Sequence, residues 1–191
     1  MGHSRAAKAQ SHERIVRLAA RLFRERGVDG IGVAELMRAA GLTHGGFYRH
    51  FGSREALVAE AVDCALREGG AATDAVAALP RATIGSLVDA YLSLAHRDRL
   101  ASSCAVTTLA NDVARSGPRT RAAYTAQVRR YVELISRLIS HLPGKRRRAR
   151  ATAALATLVG AVSMSRAVSD EKLSREILKA ASDELKATLG R

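Results

Sequence analysis

GLTHGGFYRHFGSREAL, residues Gly41–Leu57, sets two adjacent glycines beside an unbroken run of aromatic and basic residues. Gly41 stops one short helix and Gly52 the next. Thr43 and Ser53 stand where caps are needed for the helices that follow. Phe47 and Phe51 are four apart, so they share the side of a helix that faces a core. That leaves Thr43, His44, Gly45, Tyr48 and Arg49 largely on the outer side. Glycine costs a helix interior about 1 kcal/mol relative to alanine, so the pair calls for an explanation. Gly45 falls outward, where the missing Cβ lets the backbone approach a partner closely. Gly46 points more to the side.

Outward from this stretch the periodicity stays helical. Glu13–Arg26 carries Ile15, Leu18, Ala19, Leu22 and Phe23 on one face, with Arg14, Arg17, Arg21 and Arg24 mostly on the other. Gly27 ends that helix. Val33–Ala40 forms a second, with Leu36 and Met37 inward. Thr43 opens a third that reaches about His50. Ser53 opens a fourth that reaches about Glu68, before Gly69-Gly70, with Leu57, Val58, Ala61 and Val62 inward. A short helix, a tight turn and a second short helix with a hydrogen-bonding outer face make the arrangement a helix-turn-helix needs.

The remainder is expected to be helical too. Ile84, Leu87, Val88, Tyr91 and Leu94 form one apolar stripe; Val106, Leu109, Ala110 and Val113 form another. Gly117-Pro118 starts a long helix, with Tyr124, Val128, Tyr131, Ile135, Leu138 and Leu142 inward. A buried helix follows over 150–168, and Ser169-Asp170-Glu171 opens a last one with Leu173, Ile177, Ala181, Leu185 and Leu189 inward. No segment alternates as a strand would, so the expected fold is all-α.

The composition fits. The chain has 191 residues, 47% of them apolar, with 31 Lys+Arg against 18 Asp+Glu and a formal net charge of +13. A basic excess of that size suits an acidic partner such as nucleic acid. The first sixty residues hold only ten of the basic and six of the acidic side chains, so charge does not locate the binding face. The densest basic run, Lys145–Arg148 with Arg150, follows Pro143-Gly144 and sits badly with a helix N-terminus, which places the helix start nearer Arg150. Cys64 and Cys104 lack any metal-ligand or redox spacing. No metal and no cofactor is expected. The N-terminus has no apolar signal-peptide core, and Ala151–Ser165 is too short to span a membrane, which takes about 20 residues. A cytoplasmic protein with no membrane partner is expected. GxSxG, HExxH and P-loop patterns are absent, and "GIGVAE" lacks the third glycine of a dinucleotide fingerprint, so no enzyme is expected.

The stretch resembles the DNA-binding signature of the TetR/AcrR family of bacterial transcriptional regulators. Gly41, Leu42, Thr43, Gly45, Phe47, Tyr48, His50, Phe51, Arg54, Glu55 and Leu57 stand at the positions of that pattern, and the upstream ERIVRLAARLFRERGVDGIGVAELMRAAG also fits. Three departures stand out: Gly32 where a capping Ser or Thr is usual, Met37 where a small residue is common, and Arg54 in place of lysine. The resemblance implies a DNA-binding head over residues 1–52 with a basic N-terminal arm. It implies an effector-binding and dimerisation domain over 53–191, and a homodimer formed through the last two helices, where Ala153, Ala154, Gly160, Ala161 and Ala181 allow close packing. It further implies a repressor that binds a palindromic operator and is released by an unknown small molecule. A nonspecific nucleoid-type DNA-binding protein is the alternative.

Candidate DNA contacts are Lys8 (with Arg5, in the arm), Thr43, His44, Gly45, Tyr48, Arg49, His50 and Arg54. Thr43 serves as a cap, a phosphate donor or both. Tyr48 is the phosphate ligand implied by similar proteins. Arg49 matches either a guanine edge or a phosphate. His50 either binds DNA or packs on the helix end. Arg54 is placed to clamp a phosphate at a helix N-terminus. For an effector, Cys104, Thr107, Thr108 and Asn111 form a mildly polar helix face, which with Tyr91, Tyr124 and Tyr131 lines either a cavity or ordinary core and surface.

Overall fold

The computed structural model describes residues 5–190. Every regular element among them is a helix: α1 (Arg5–Arg26), α2 (Val33–Ala39), a 3-10 helix (His44–Arg49), α3 (Arg54–Ala77), α4 (Ile84–Tyr91) and α5 (Leu94–Asp98). A 3-10 turn (Leu100–Ser102) leads to α6 (Ala105–Thr108), α7 (Ala110–Ala114), α8 (Pro118–Leu138), α9 (Gly144–Ala167) and α10 (Glu171–Leu189). The all-α expectation therefore holds.

α3 is the shared beam. It packs on α1 on one side and on α8 on the other, and α8 packs in turn on α9, which packs on α10. One continuous apolar cluster runs from Ile15 and Phe23 of α1, through Leu57 and Val62 of α3, to Leu158 of α9 and Leu185 of α10.

Several boundaries moved. α1 begins at Arg5, eight residues before the expected Glu13, so Arg5 and Lys8 are helical and do not form an arm; residues 1–4 of the expected arm lie outside the described residues. Ala6, Ala7 and Ala9 favour helix without adding an apolar period, which is why periodicity missed them. Arg24, expected outward, is 7% exposed: it donates to the Ala65 carbonyl and to Glu68 Oε2 at 2.7 Å. α3 continues past Glu68 and straight through Gly69-Gly70. The single stripe Val106–Val113 is broken at Leu109 into α6 and α7. α9 begins at Gly144, so the basic run lies inside its first turns, where Arg147 Nε donates to the Leu142 carbonyl. The neighbouring Lys145, Arg146 and Arg148 are exposed, where water screens the unfavourable dipole interaction. α9 is not buried throughout: Ala154, Leu155, Leu158, Ala161 and Val162 face in, while Ala153, Ala156 and Met164 face out. α10 is capped by Asp170, which accepts from the Lys172 and Leu173 amides. Its buried face is Ser174, Leu178, Leu185 and Leu189, turned by one residue from the expected one, so that Leu173 is 42% exposed.

Candidate nucleic-acid interface

The turn before the outward-facing helix is built by hydrogen bonds that only one residue type serves well. The Gly41 amide donates to the Arg38 carbonyl at 3.0 Å and the Leu42 amide to the Met37 carbonyl at 2.9 Å. That is the paired closure of a helix C-terminus that needs a left-handed residue, and Gly41 has φ +72°. The chain then enters His44–Arg49 as a 3-10 helix rather than the α-helix expected, opened by Gly46 N–H to Thr43 O. Thr43 is its N-cap by backbone alone: the side chain makes no capping bond, which corrects the expected cap. Its hydroxyl is left exposed.

Phe47 and Phe51 anchor the segment, each 2% exposed, with ring centroids 5.4 Å apart. His12 of α1 stacks on Phe51 at 4.6 Å and bonds Glu60 of α3 at 2.7 Å, tying α1 and α3 to the end of the segment. Outward stand Thr43, His44, Gly45, Tyr48 and Arg49, as their spacing predicts; Tyr48 is 71% exposed. Arg49 has no ion-pair partner among the described residues. A Cβ on Gly45 would meet nothing within 4 Å, whereas one on Gly46 would touch Met37 Cε and Thr43 Oγ1 at 3.7 Å. Met37, the departure from the family pattern, thus packs beneath Gly46.

Two candidates sit differently. His50 is only half-exposed and its Nδ1 is buried without a hydrogen-bond partner. Its pKa is pushed below the usual histidine value by burial, then by the neighbouring positive charges of His12, Lys8 and Arg49. It therefore packs against the helix end. Arg54 already has partners: it donates to the Val28 carbonyl at 2.8 Å and to Asp29 at 3.2 Å. Its first role is to brace the α1–α2 turn against α3. Ser53 caps α3 as expected, accepting from the Ala56 amide.

This geometry has a recognised counterpart. Residues 15–61 match the family model for bacterial regulatory proteins of the tetR family. Over those residues the chain carries the tetR-family segment. Its fold agrees along nearly the whole length with solved TetR-family structures. One is a TetR transcriptional regulator from Chloroflexus aurantiacus: 25% identity, TM-score 0.81, 97% of each chain covered. Another is the TetR-family regulator from Cytophaga hutchinsonii: 18% identity, TM-score 0.80, 99% of this chain and 98% of that one covered. The fold also matches the reduced form of NemR from E. coli: 20% identity, TM-score 0.77, 93% of this chain and 96% of that one covered. The comparison with curated proteins gives no match. No helix among the described residues is long and apolar enough to cross a membrane, and none of their His, Cys, Asp and Glu side chains gather into a possible metal site.

The expected effector residues fall into three sets. Tyr91 and Cys104 line a cavity of about 140 Å³ between α3, α4 and the Leu100–Ser102 turn. Thr107 and Tyr131 sit just behind them: Tyr91 OH and Thr107 Oγ1 share a hydrogen bond at 2.7 Å, and Tyr131 OH lies 3.5 Å from Cys104 Sγ. Thr108, Asn111 and Tyr124 do not line the cavity. Thr108 bonds the Cys104 carbonyl, Tyr124 the Val106 carbonyl, and Asn111 faces solvent. Burial raises the pKa of Tyr91, Tyr124 and Tyr131, so all three hydroxyls stay protonated at neutral pH.

Sequence reasoning missed His96 and Thr73 of the cavity wall, and two further features. Gly69 and Gly70 are buried in the middle of α3: a Cβ on Gly69 would lie 3.5 Å from the Cys104 Cα and 3.7 Å from Tyr131 OH, and one on Gly70 only 2.9 Å from Gln127 Nε2. The signal was there, in glycines within a helical pattern, and was read as a helix end. The other is Asp112 of α7, whose carboxylate accepts from the Val28 amide at 3.2 Å. Nothing local to Asp112 marks it, because Val28 lies 84 residues away.

Proposed function

We propose that this protein is a homodimeric repressor of the TetR family that binds a palindromic operator and leaves it when a small molecule enters the C-terminal domain. The observation that carries the DNA-binding half is the 3-10 helix: Phe47 and Phe51 hold it rigidly from behind while its polar face and bare Gly45 backbone stand in open space. In this reading residues 1–52 are the DNA-binding head and 53–191 the effector and dimerisation domain. Tyr48 and Thr43 hold phosphates and fix register, Arg49 meets a base edge or a phosphate, and His44 and Lys8 flank them. Release of Asp29 would free Arg54 to join the phosphate contacts. The protein works in the cytoplasm, beside its operator.

Dimerisation is proposed through α9 and α10. Their packed pair leaves Met164, 58% exposed, and Leu173 facing out beside exposed Ala153 and Ala156 and half-buried Gly160, Ile177 and Ala181. Small residues allow close approach, and a two-fold axis makes one such face self-complementary. The two recognition helices would then lie about 34–36 Å apart, one turn of the duplex.

The coupling is proposed along one short stretch. Cys104 lines the cavity, α6 follows it, and α7 carries Asp112 to the Val28 amide in the head. A ligand that favours a different position of α6 shifts that contact, and so the population of DNA-competent dimers. Selection of bound duplexes from a random pool tests the reading. A palindrome with half-sites about ten base pairs apart supports it; enrichment of no sequence at any salt concentration would leave a nonspecific binder instead.

A further inference from the structure

We infer that the cavity beside Tyr91 and Cys104 takes a small neutral ring bearing one hydrogen-bond donor, a molecule of phenol's size and character. This rests on the ligand-responsive reading above and names the class of molecule that reading leaves open.

Size comes first. The cavity holds about 140 Å³, and an engineered apolar cavity of about 150 Å³ holds benzene. One ring fits; two do not without moving the walls. Val76, Leu87 and Gly69 supply apolar surface, so a ring gains by leaving water. Ala90 and Ser102, both exposed, mark the mouth.

Charge comes second. Among the described residues, no Lys, Arg, Asp or Glu lines the cavity. Its one titratable base, His96, is committed to the neutral form by geometry. The Cys104 amide donates to Nε2 at 3.1 Å, so Nε2 must be an acceptor and the ring proton sits on Nδ1, 2.6 Å from the Tyr91 carbonyl. Burial and the neighbouring Arg166 both push its pKa down. A cationic ligand would enter without a counter-charge, and an anionic one would meet only Arg166, which does not line the cavity and already donates to the Arg97 and His96 carbonyls and to Ser103 Oγ, so either is costly away from water.

Hydrogen bonding comes third. Thr73 Oγ1 donates its proton to the Gly69 carbonyl at 3.0 Å and shares a longer contact with Tyr131 OH at 3.4 Å, which uses at most one of its two lone pairs. The hydroxyl still offers an acceptor lone pair at the cavity wall, so the complementary ligand group is an O–H or N–H.

The test uses the full chain and calorimetric titration with phenol, toluene and benzoate at pH 7.5. Phenol is expected to saturate one site per chain, with benzoate at least tenfold weaker. Ala90→Phe, at an exposed position, should close the mouth and lower phenol affinity at least tenfold with helix content and melting temperature kept. Thr73→Val should weaken phenol several-fold and leave toluene unchanged. Benzoate binding as tightly as phenol, or a folded Ala90→Phe that binds phenol unchanged, overturns the inference. Operator binding is read separately. Phenol that occupies the site without weakening operator binding keeps the ligand class and sinks ligand release. A charged molecule that releases the operator and competes with phenol does the reverse.

Discussion

Two glycine pairs sit inside helices of this protein, and they are there for opposite reasons. Gly69-Gly70 in α3 is pressed against Cys104, Tyr131 and Gln127; the partner is already present. At Gly45-Gly46 a Cβ on the first residue would reach nothing and on the second would make ordinary contact with Met37. Each pair costs helix propensity. In α3 the cost is offset by close packing of helices within the fold. At Gly45 no internal contact offsets it, which points to a surface shaped for something outside the fold.

The comparison breaks first at Gly69. Gly69→Leu would drive side-chain carbons into the Cys104 backbone, and overpacking of this kind costs about 1–3 kcal/mol. Thermal unfolding should show a clear drop; an unchanged melting temperature would mean α3 does not need that approach. Gly41→Ala comes next. A side chain at φ +72° costs about 1–2 kcal/mol, and chemical denaturation should report it with little change in the denaturant slope.

Acid offers a third test, since each region holds a histidine kept neutral. His96 in the core and His50 in the head both have folded pKa values below the ordinary one, in each case first through burial. The unfolded chain then binds more protons, so stability is present above the unfolded value of about 6.5 and is lost as pH falls below it toward the folded values. Melting temperature should fall between about pH 6.5 and pH 5, and His50→Gln should flatten part of that fall. A stability that rises on acidification would contradict both assignments.

The smallest effects belong to the outward segment. Gly46→Ala should stabilise by up to roughly 1 kcal/mol, because its Cβ fits beside Met37. Tyr48→Phe should leave stability alone and weaken binding several-fold on every duplex alike, since a phosphate contact carries no base information. A change of preferred base at one position would show that Tyr48 reads sequence.

Much of the head was legible because its signals are local. The glycine stop at Gly41, the four-residue spacing of Phe47 and Phe51 and the Ser53 cap act within a turn or two of themselves. What failed was set by distant partners. Arg24 looks exposed until Glu68 and the Ala65 carbonyl come across from α3. The face of α10 is decided by α9 and α4, which pack on it. Gly69-Gly70 reads as a helix end unless α6 and α8 are known to close over it. Of the cavity wall, Cys104 belongs to the mildly polar face opposite one apolar stripe and Tyr91 to another stripe, a pattern that fits a cavity or ordinary core and surface alike. His96 and Thr73 were missed because they enter from neighbouring elements, and Asn111 was included only because a continuous helix was assumed where Leu109 breaks it.

The claim that the His44–Arg49 helix meets DNA through its bare backbone is tested most directly by Gly45→Leu, titrated against the duplex selected by the unaltered protein. The site has open space for the side chain, so melting temperature and dimer content should not change, while specific affinity should fall by more than about a hundredfold, a loss of roughly 2.7 kcal/mol or more. Unchanged affinity in the folded variant would contradict the account.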